Sequence, residues 1–198
     1  MQLLKIFILG IAFSLNLSAT EFKRQSTNIF ISSGFIHPTN ERLTNIYGDS
    51  PWNGILFGFS SPISSITNIV LRIEYARSTY TYWGTSPLMV EGYWTNRWGH
   101  VIGDIGFSFK MYRLNPLSFI LNGGLSYMIY DAEIGASDVI TSLDSNGGVF
   151  IGVISEYDIG QTNFSLFLET QYRSFLKTDV AIDYRGFYGF IGLKYHFN

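Results

Sequence analysis

Arg185-Gly-Phe-Tyr-Gly-Phe-Ile-Gly-Leu-Lys-Tyr-His-Phe-Asn198 closes the chain with a strict alternation of side-chain character. Counted in twos, Phe187, Gly189, Ile191, Leu193, Tyr195 and Phe197 form an apolar face. Tyr188, Phe190, Gly192, Lys194, His196 and Asn198 form a mixed one. A period of two marks a strand whose faces meet different surroundings. About ten residues carry a tilted strand across a bilayer, so this stretch is long enough to span one.

Composition points the same way. A chain of 198 residues suits one domain, and a mean hydropathy of +0.16 is too low for a bundle of membrane helices. Charged residues make up 14% and aromatics 17%, whereas about a quarter of a soluble domain is charged. Strands facing lipid between aromatic girdles produce both deviations. The net charge of −2 gives no electrostatic reason to expect nucleic acid as a partner. With no cysteine, disulfides, a thiol nucleophile, thiolate metal sites and a lipoprotein anchor are all excluded.

The beginning of the chain reads as an export signal. Lys5 is the positive region, Ile6 to Phe13 the apolar core, and Leu17-Ser18-Ala19 the cleavage site. The expected division is therefore a signal peptide over 1–19 and a mature domain over 20–198. The apolar run is shorter than the ~20 residues of a spanning helix, which argues against an uncleaved anchor.

Seven further alternating stretches precede the last one, at about 28–36, 52–60, 68–80, 99–112, 117–129, 147–158 and 163–175. In the third, Ile69, Leu71, Ile73 and Tyr75 oppose Val70, Arg72, Glu74 and Ala76; in the seventh, Phe164, Leu166, Leu168 and Tyr172 oppose Ser165, Glu169, Gln171 and Arg173. The connections run long (37–51), short (61–65), long and aromatic (ending near Trp98), tight (Asn115-Pro116), long (131–146), brief (Gly160-Gln161) and medium (177–184). Pro, Ser and Gly set the short ones.

With these residues in place the chain resembles the outer-membrane β-barrel proteins. Their final strand carries apolar side chains at every second position up to a terminal aromatic, here Phe197 followed by Asn198. The resemblance implies an all-β, eight-stranded antiparallel up-and-down transmembrane β-barrel in a bacterial outer membrane, similar to small barrels of the OmpA/OmpX kind and porin-like in build. It also implies short periplasmic turns, longer outer loops, outer-membrane lipid and lipopolysaccharide as surroundings, and the barrel-assembly machinery as a partner during biogenesis. Closure follows from physics: each unpaired backbone group inside lipid costs several kcal/mol. The competing architecture is a soluble sandwich or lipocalin-like barrel, with the apolar rows turned inward.

If the apolar rows face lipid, Arg72, Glu74, His100, Asp104, Lys110, Glu156, Glu169, Arg173 and Lys194 point into the barrel. An eight-stranded interior is only wide enough to be filled by side chains, and charges there must pair. Arg72, Lys110, Arg173 and Lys194 balance Glu74, Asp104, Glu156 and Glu169, so a structural salt-bridge network is expected, which argues against a wide pore. Some barrels of this size modify lipid A with Ser, His and an acid. Here His100, Asp104 and Ser108 share a face, but residues four apart on a strand are about 13 Å apart, beyond hydrogen-bond reach. His37, beside Pro38, reads as a loop residue, and no Gly-x-Ser-x-Gly stretch occurs. No catalytic, cofactor-binding or metal residue is expected.

All four tryptophans, Trp52, Trp83, Trp94 and Trp98, fall in or beside the first two long connections, with Tyr47, Tyr80, Tyr82 and Tyr93. One reading is an interfacial girdle at headgroup depth. The other is a contact surface for an extracellular ligand or partner. Arg77 and Arg97 are placed to meet lipopolysaccharide phosphates. The expected function is thus a non-enzymatic envelope protein with surface-loop display, including adhesion or partner binding. The rivals are a narrow gated channel for small solutes and a lipid A-modifying enzyme.

Overall fold

The computed structural model describes residues 26–38, 52–85, 91–133, 142–176 and 185–197. Its elements are β1 (Asn28–Pro38), β2 (Trp52–Pro62), β3 (Thr67–Thr85), β4 (Glu91–Leu114), β5 (Leu117–Glu133), β6 (Ser142–Asp158), β7 (Phe164–Phe175) and β8 (Gly186–His196). Each strand pairs antiparallel with the next, and β8 returns to β1, closing a barrel in sequence order. Closure leaves the described barrel wall without an edge, so neighbouring strands satisfy one another's backbone donors and acceptors at membrane depth. The export signal lies outside the described residues.

The alternation of burial fixes which face is which. Ile191 is 65% exposed on the outside, between inward Phe190 at 1% and Gly192, and β7 repeats the pattern from Phe164 to Phe175. Ile73 and Leu168 stand outward, whereas Glu74, Glu169 and Arg173 are buried within. This inverts the soluble arrangement and overturns the lipocalin-like alternative. A continuous apolar wall is far larger than the few-hundred-Å² patches that water-soluble monomers tolerate. Against hydrocarbon it costs nothing.

Several strands outrun their expected ends. β3 and β4 continue upward to Thr85↔Glu91, so the second long connection shrinks to residues 86–90. β5 likewise reaches Glu133 and β6 begins at Ser142. Alternation of apolar residues stops where lipid contact stops, but Thr, Tyr and Trp keep a ladder going beyond that level. His37, expected in a loop, pairs with Phe187 at the end of β1. A bulge between Lys110 and Tyr112 turns Tyr112 outward, where unbroken alternation puts Met111.

Large and small residues interlock across the interior. Gly58 sits opposite Phe30, and a Cβ there would lie 2.1 Å from the ring. Gly34 sits opposite Phe190 on the other side of β1, where a Cβ would lie 2.3 Å from that ring. Both glycines are therefore required by close approach, and both rings fill the narrow lumen in their place.

Candidate functional site

The centre of the barrel is an ion-paired cluster. Arg173, fully buried on β7, donates through Nη1 to Glu74 Oε2 at 2.6 Å and through Nη2 to Asp104 Oδ2 at 2.7 Å. Arg72 on β3 donates from Nε to Asp104 Oδ2 at 3.1 Å, from Nη1 to Glu169 Oε1 at 2.5 Å and from Nη2 to Gln171 Oε1 at 3.0 Å. Ser126 Oγ donates to Asp104 Oδ1 at 2.6 Å, and Asn122 Nδ2 to Glu169 Oε1 at 2.6 Å. His100 Nε2 lies 2.9 Å from Glu74 Oε1. The Arg72 guanidinium stacks 4.3 Å from the Phe150 ring and that of Arg173 4.6 Å from Tyr188. Side chains from β3 through β8 thus converge on two guanidinium groups, whose planar forks suit bidentate pairing at buried sites.

Apolar side chains complete the filling towards the long-loop end. Ile36, Leu56, Ala76, Ile102, Met128 and Phe175 are buried with Trp98, Tyr130, Tyr188 and Phe190 in one cluster. Trp98 needs a correction as a candidate contact residue: it is 1% exposed, inside the barrel, edge-on to His100 with ring centroids 4.5 Å apart. An even-numbered position on β4 points inward, and the expectation missed it because this part of the strand read as a loop. The side chains of Trp52, Trp83 and Trp94 lie outside the described residues. The apolar plug escaped the sequence reading because Leu56, Ile102 and Met128 stand among outward apolar neighbours, where periodicity carries no contrast.

The short-turn half is different. Small inward residues, Ser60, Ser108 and Ser118 among them, leave a cavity of about 570 Å³. At its mouth Lys194 pairs with Glu156, and Arg113 with Asp158 at 2.8 Å. Lys110 lines the cavity half-buried and forms no ion pair or hydrogen bond through its ammonium among the described residues. Of the charges expected in the network, it alone stands apart.

Two constellations bear on catalysis. His100, Asp104 and Ser108 share the inner face, yet His100 bonds Glu74 rather than Asp104, and the three are not brought together as a triad. Register also brings together Ser165, His196 and Glu156, which come from three strands and had no signal in sequence. Ser165 Oγ lies 2.9 Å from His196 Nε2, and Glu156 Oε1 lies 3.2 Å from that same nitrogen. His196 Nδ1 faces Ser26 Oγ at 3.4 Å. A triad needs the acid on one ring nitrogen and the nucleophile on the other. Here Ser165 and Glu156 both crowd Nε2, and the hydroxyl facing Nδ1 is that of Ser26, at a long 3.4 Å.

At the opposite end the β3–β4 ladder reaches to Thr85↔Glu91. Among the described residues, the last β2–β3 pair is Asn53↔Arg77 and the last β4–β5 pair is Arg97↔Glu133. β3 and β4 stay paired from Tyr80↔Asn96 to Thr85↔Glu91. At ~3.4 Å per residue this ribbon extends about 20 Å. Tyr93 on it is 74% exposed, and Arg77 and Arg97 are exposed at its base.

A closed eight-stranded barrel with a lipid-facing apolar wall and an ion-paired interior is the architecture of the small integral proteins of bacterial outer membranes, and the chain has that architecture. Solved structures share its fold. OprG of Pseudomonas aeruginosa is 11% identical, with a TM-score of 0.60 over 88% of this chain and 98% of its own. Ail, the attachment invasion locus protein of Yersinia pestis, in complex with the heparin analogue sucrose octasulfate, is 12% identical, with a TM-score of 0.57 over 88% of this chain and 100% of its own. Neisserial surface protein A is 11% identical, with a TM-score of 0.55 over 86% and 97%. No protein-family profile and no curated protein matches the chain.

Proposed function

We propose that the chain is a non-enzymatic outer-membrane barrel whose rigid, ion-locked body holds the β3–β4 ribbon outside the cell for contact with an extracellular partner. The observation that carries this reading is the β3–β4 ladder, which stays paired as far as Thr85↔Glu91 and carries Tyr93 74% exposed. A paired ribbon keeps its shape off the membrane, and its aromatic residues are of the kind enriched at binding hot spots. Arg77 and Arg97 at its base suit lipopolysaccharide phosphates, which Arg recognises bidentately. The solute-channel alternative is disfavoured, because the buried plug around Leu56, Ile102, Met128 and Phe190 fills the long-loop half of the lumen.

The test is to replace residues 81–95 by Asn-Gly, a turn that closes a hairpin directly. The shortened chain is expected to retain a heat-shifted gel mobility, as a closed barrel does. Cells displaying it should bind at least tenfold less to one of three surfaces: immobilised heparin, immobilised lipopolysaccharide or epithelial monolayers. Equal retention of both chains, or no retention of the full-length chain on any surface, contradicts the proposal.

A further inference from the structure

The cavity in the short-turn half is not explained by display of a ribbon at the other end. It opens beside Ser26, Thr162 and Phe197 and is roofed by Arg72, Asn122 and Glu169. Its volume of about 570 Å³ falls within the ~300–1,000 Å³ of small-molecule sites. Part of its lining is apolar, Phe30, Val70, Ile120, Ile154 and Phe167, contributed by five strands.

One ammonium lining this space has no carboxylate of its own among the described residues. Arg72 is held by Asp104 and Glu169, Lys194 by Glu156, and Arg113 by Asp158. Lys110 remains, facing the cavity, with Glu156, Asp158, Lys194 and Arg113 as its charged neighbours. Each of those acids is already bonded to a different cation. Arg113 has in addition a buried Nε with no acceptor, and a buried donor left unsatisfied is costly. Glu156, Asp158 and His196 could together face a metal ion, but Lys194 and Arg113 already neutralise both carboxylates. An anion in the cavity would give the Lys110 ammonium the partner it lacks among the described residues.

We propose that this cavity binds a small organic monoanion, a carboxylate with a compact apolar body, its charge met by Lys110 and Arg113 and its body by the apolar lining of Phe30, Ile120, Ile154 and Phe167. A charged donor on a carboxylate makes the stronger class of hydrogen bond, and the apolar lining excludes small inorganic anions from competing on equal terms. In the orientation of this class the mouth opens to the periplasm, so the ligand is drawn from that side.

The experiment uses the full-length mature barrel in lipid nanodiscs, with empty nanodiscs as the background. Binding of 4-fluorobenzoate, 4-fluorobenzamide and 4-fluorobenzylamine is followed by fluorine NMR line broadening. The carboxylate is expected to bind at least tenfold more tightly than the neutral amide, and the cationic amine not to bind. Lys110→Met should abolish the preference for the carboxylate while leaving heat-shifted gel mobility unchanged, since Lys110 has no ion pair to lose. Ile154→Trp, which fills the cavity and keeps every charge, should abolish binding of both carboxylate and amide. No saturable binding of 4-fluorobenzoate, equal binding of the amide, preference for the amine, or an undiminished preference in the Lys110→Met barrel overturns the proposal.

Discussion

Replacing Arg173 with Met is expected to destabilise the folded barrel by about 3–5 kcal/mol, the loss that follows when one partner of a buried ion pair is removed. Arg173 ties Glu74 on β3 to Asp104 on β4 from the far side of the barrel. Without it Glu74 keeps only His100, and Asp104 keeps Arg72 and Ser126. Both carboxylates are then less well compensated in a site without water access. The measurement is the urea midpoint for loss of heat-shifted gel mobility in lipid vesicles. Adding Glu74→Gln to Arg173→Met should restore part of the loss, because the second change removes a charge the first left unpaired. A double variant no more stable than the single one would mean that the two residues are not coupled.

Ile191→Arg is expected to cost about 2–4 kcal/mol in a bilayer, as Arg does at the midplane on the lipid face of a barrel. Ile191 pairs with Leu168 and Ser33, mid-height on three strands, and is 65% exposed. The same change at Phe187 or Tyr195, nearer the ends of β8, should cost only ~0–1 kcal/mol. This depth profile separates lipid from water. In water an exposed Ile to Arg change falls within about 0.5 kcal/mol wherever it is made, so a flat profile along β8 would argue for an aqueous exterior.

The barrel was legible because its two faces meet opposite surroundings. Ile69, Leu71, Ile73 and Tyr75 against Arg72, Glu74 and Ala76 is a pattern that no helix produces and no wholly buried strand retains. The identity of the inward charges followed from phase alone. Their partners did not, since Arg72 and Glu169 are 97 positions apart and meet only across the lumen. Register between strands is set by turns and bulges, such as the one at Lys110 and Tyr112, which leave little trace in composition. The plug and Trp98 were hidden for a related reason: inside the long-loop half the lumen is apolar too, so the period of two fades. The ribbon was mistaken for loop because Thr79 to Thr85 lacks an apolar row, although backbone pairing needs none.

The most direct test of the account is the accessibility of spin labels along one strand. The chain has no cysteine, so single cysteines at Val149, Ile151 and Val153 on β6, with Ile63 in a short turn as the aqueous reference, can each carry a nitroxide in lipid vesicles. The account predicts that the three β6 labels relax strongly with molecular oxygen, which concentrates in hydrocarbon, and weakly with a water-soluble nickel chelate, the reverse of Ile63. Nickel accessibility at Ile151 equal to that at Ile63 would contradict a lipid-facing wall and with it the membrane-spanning barrel.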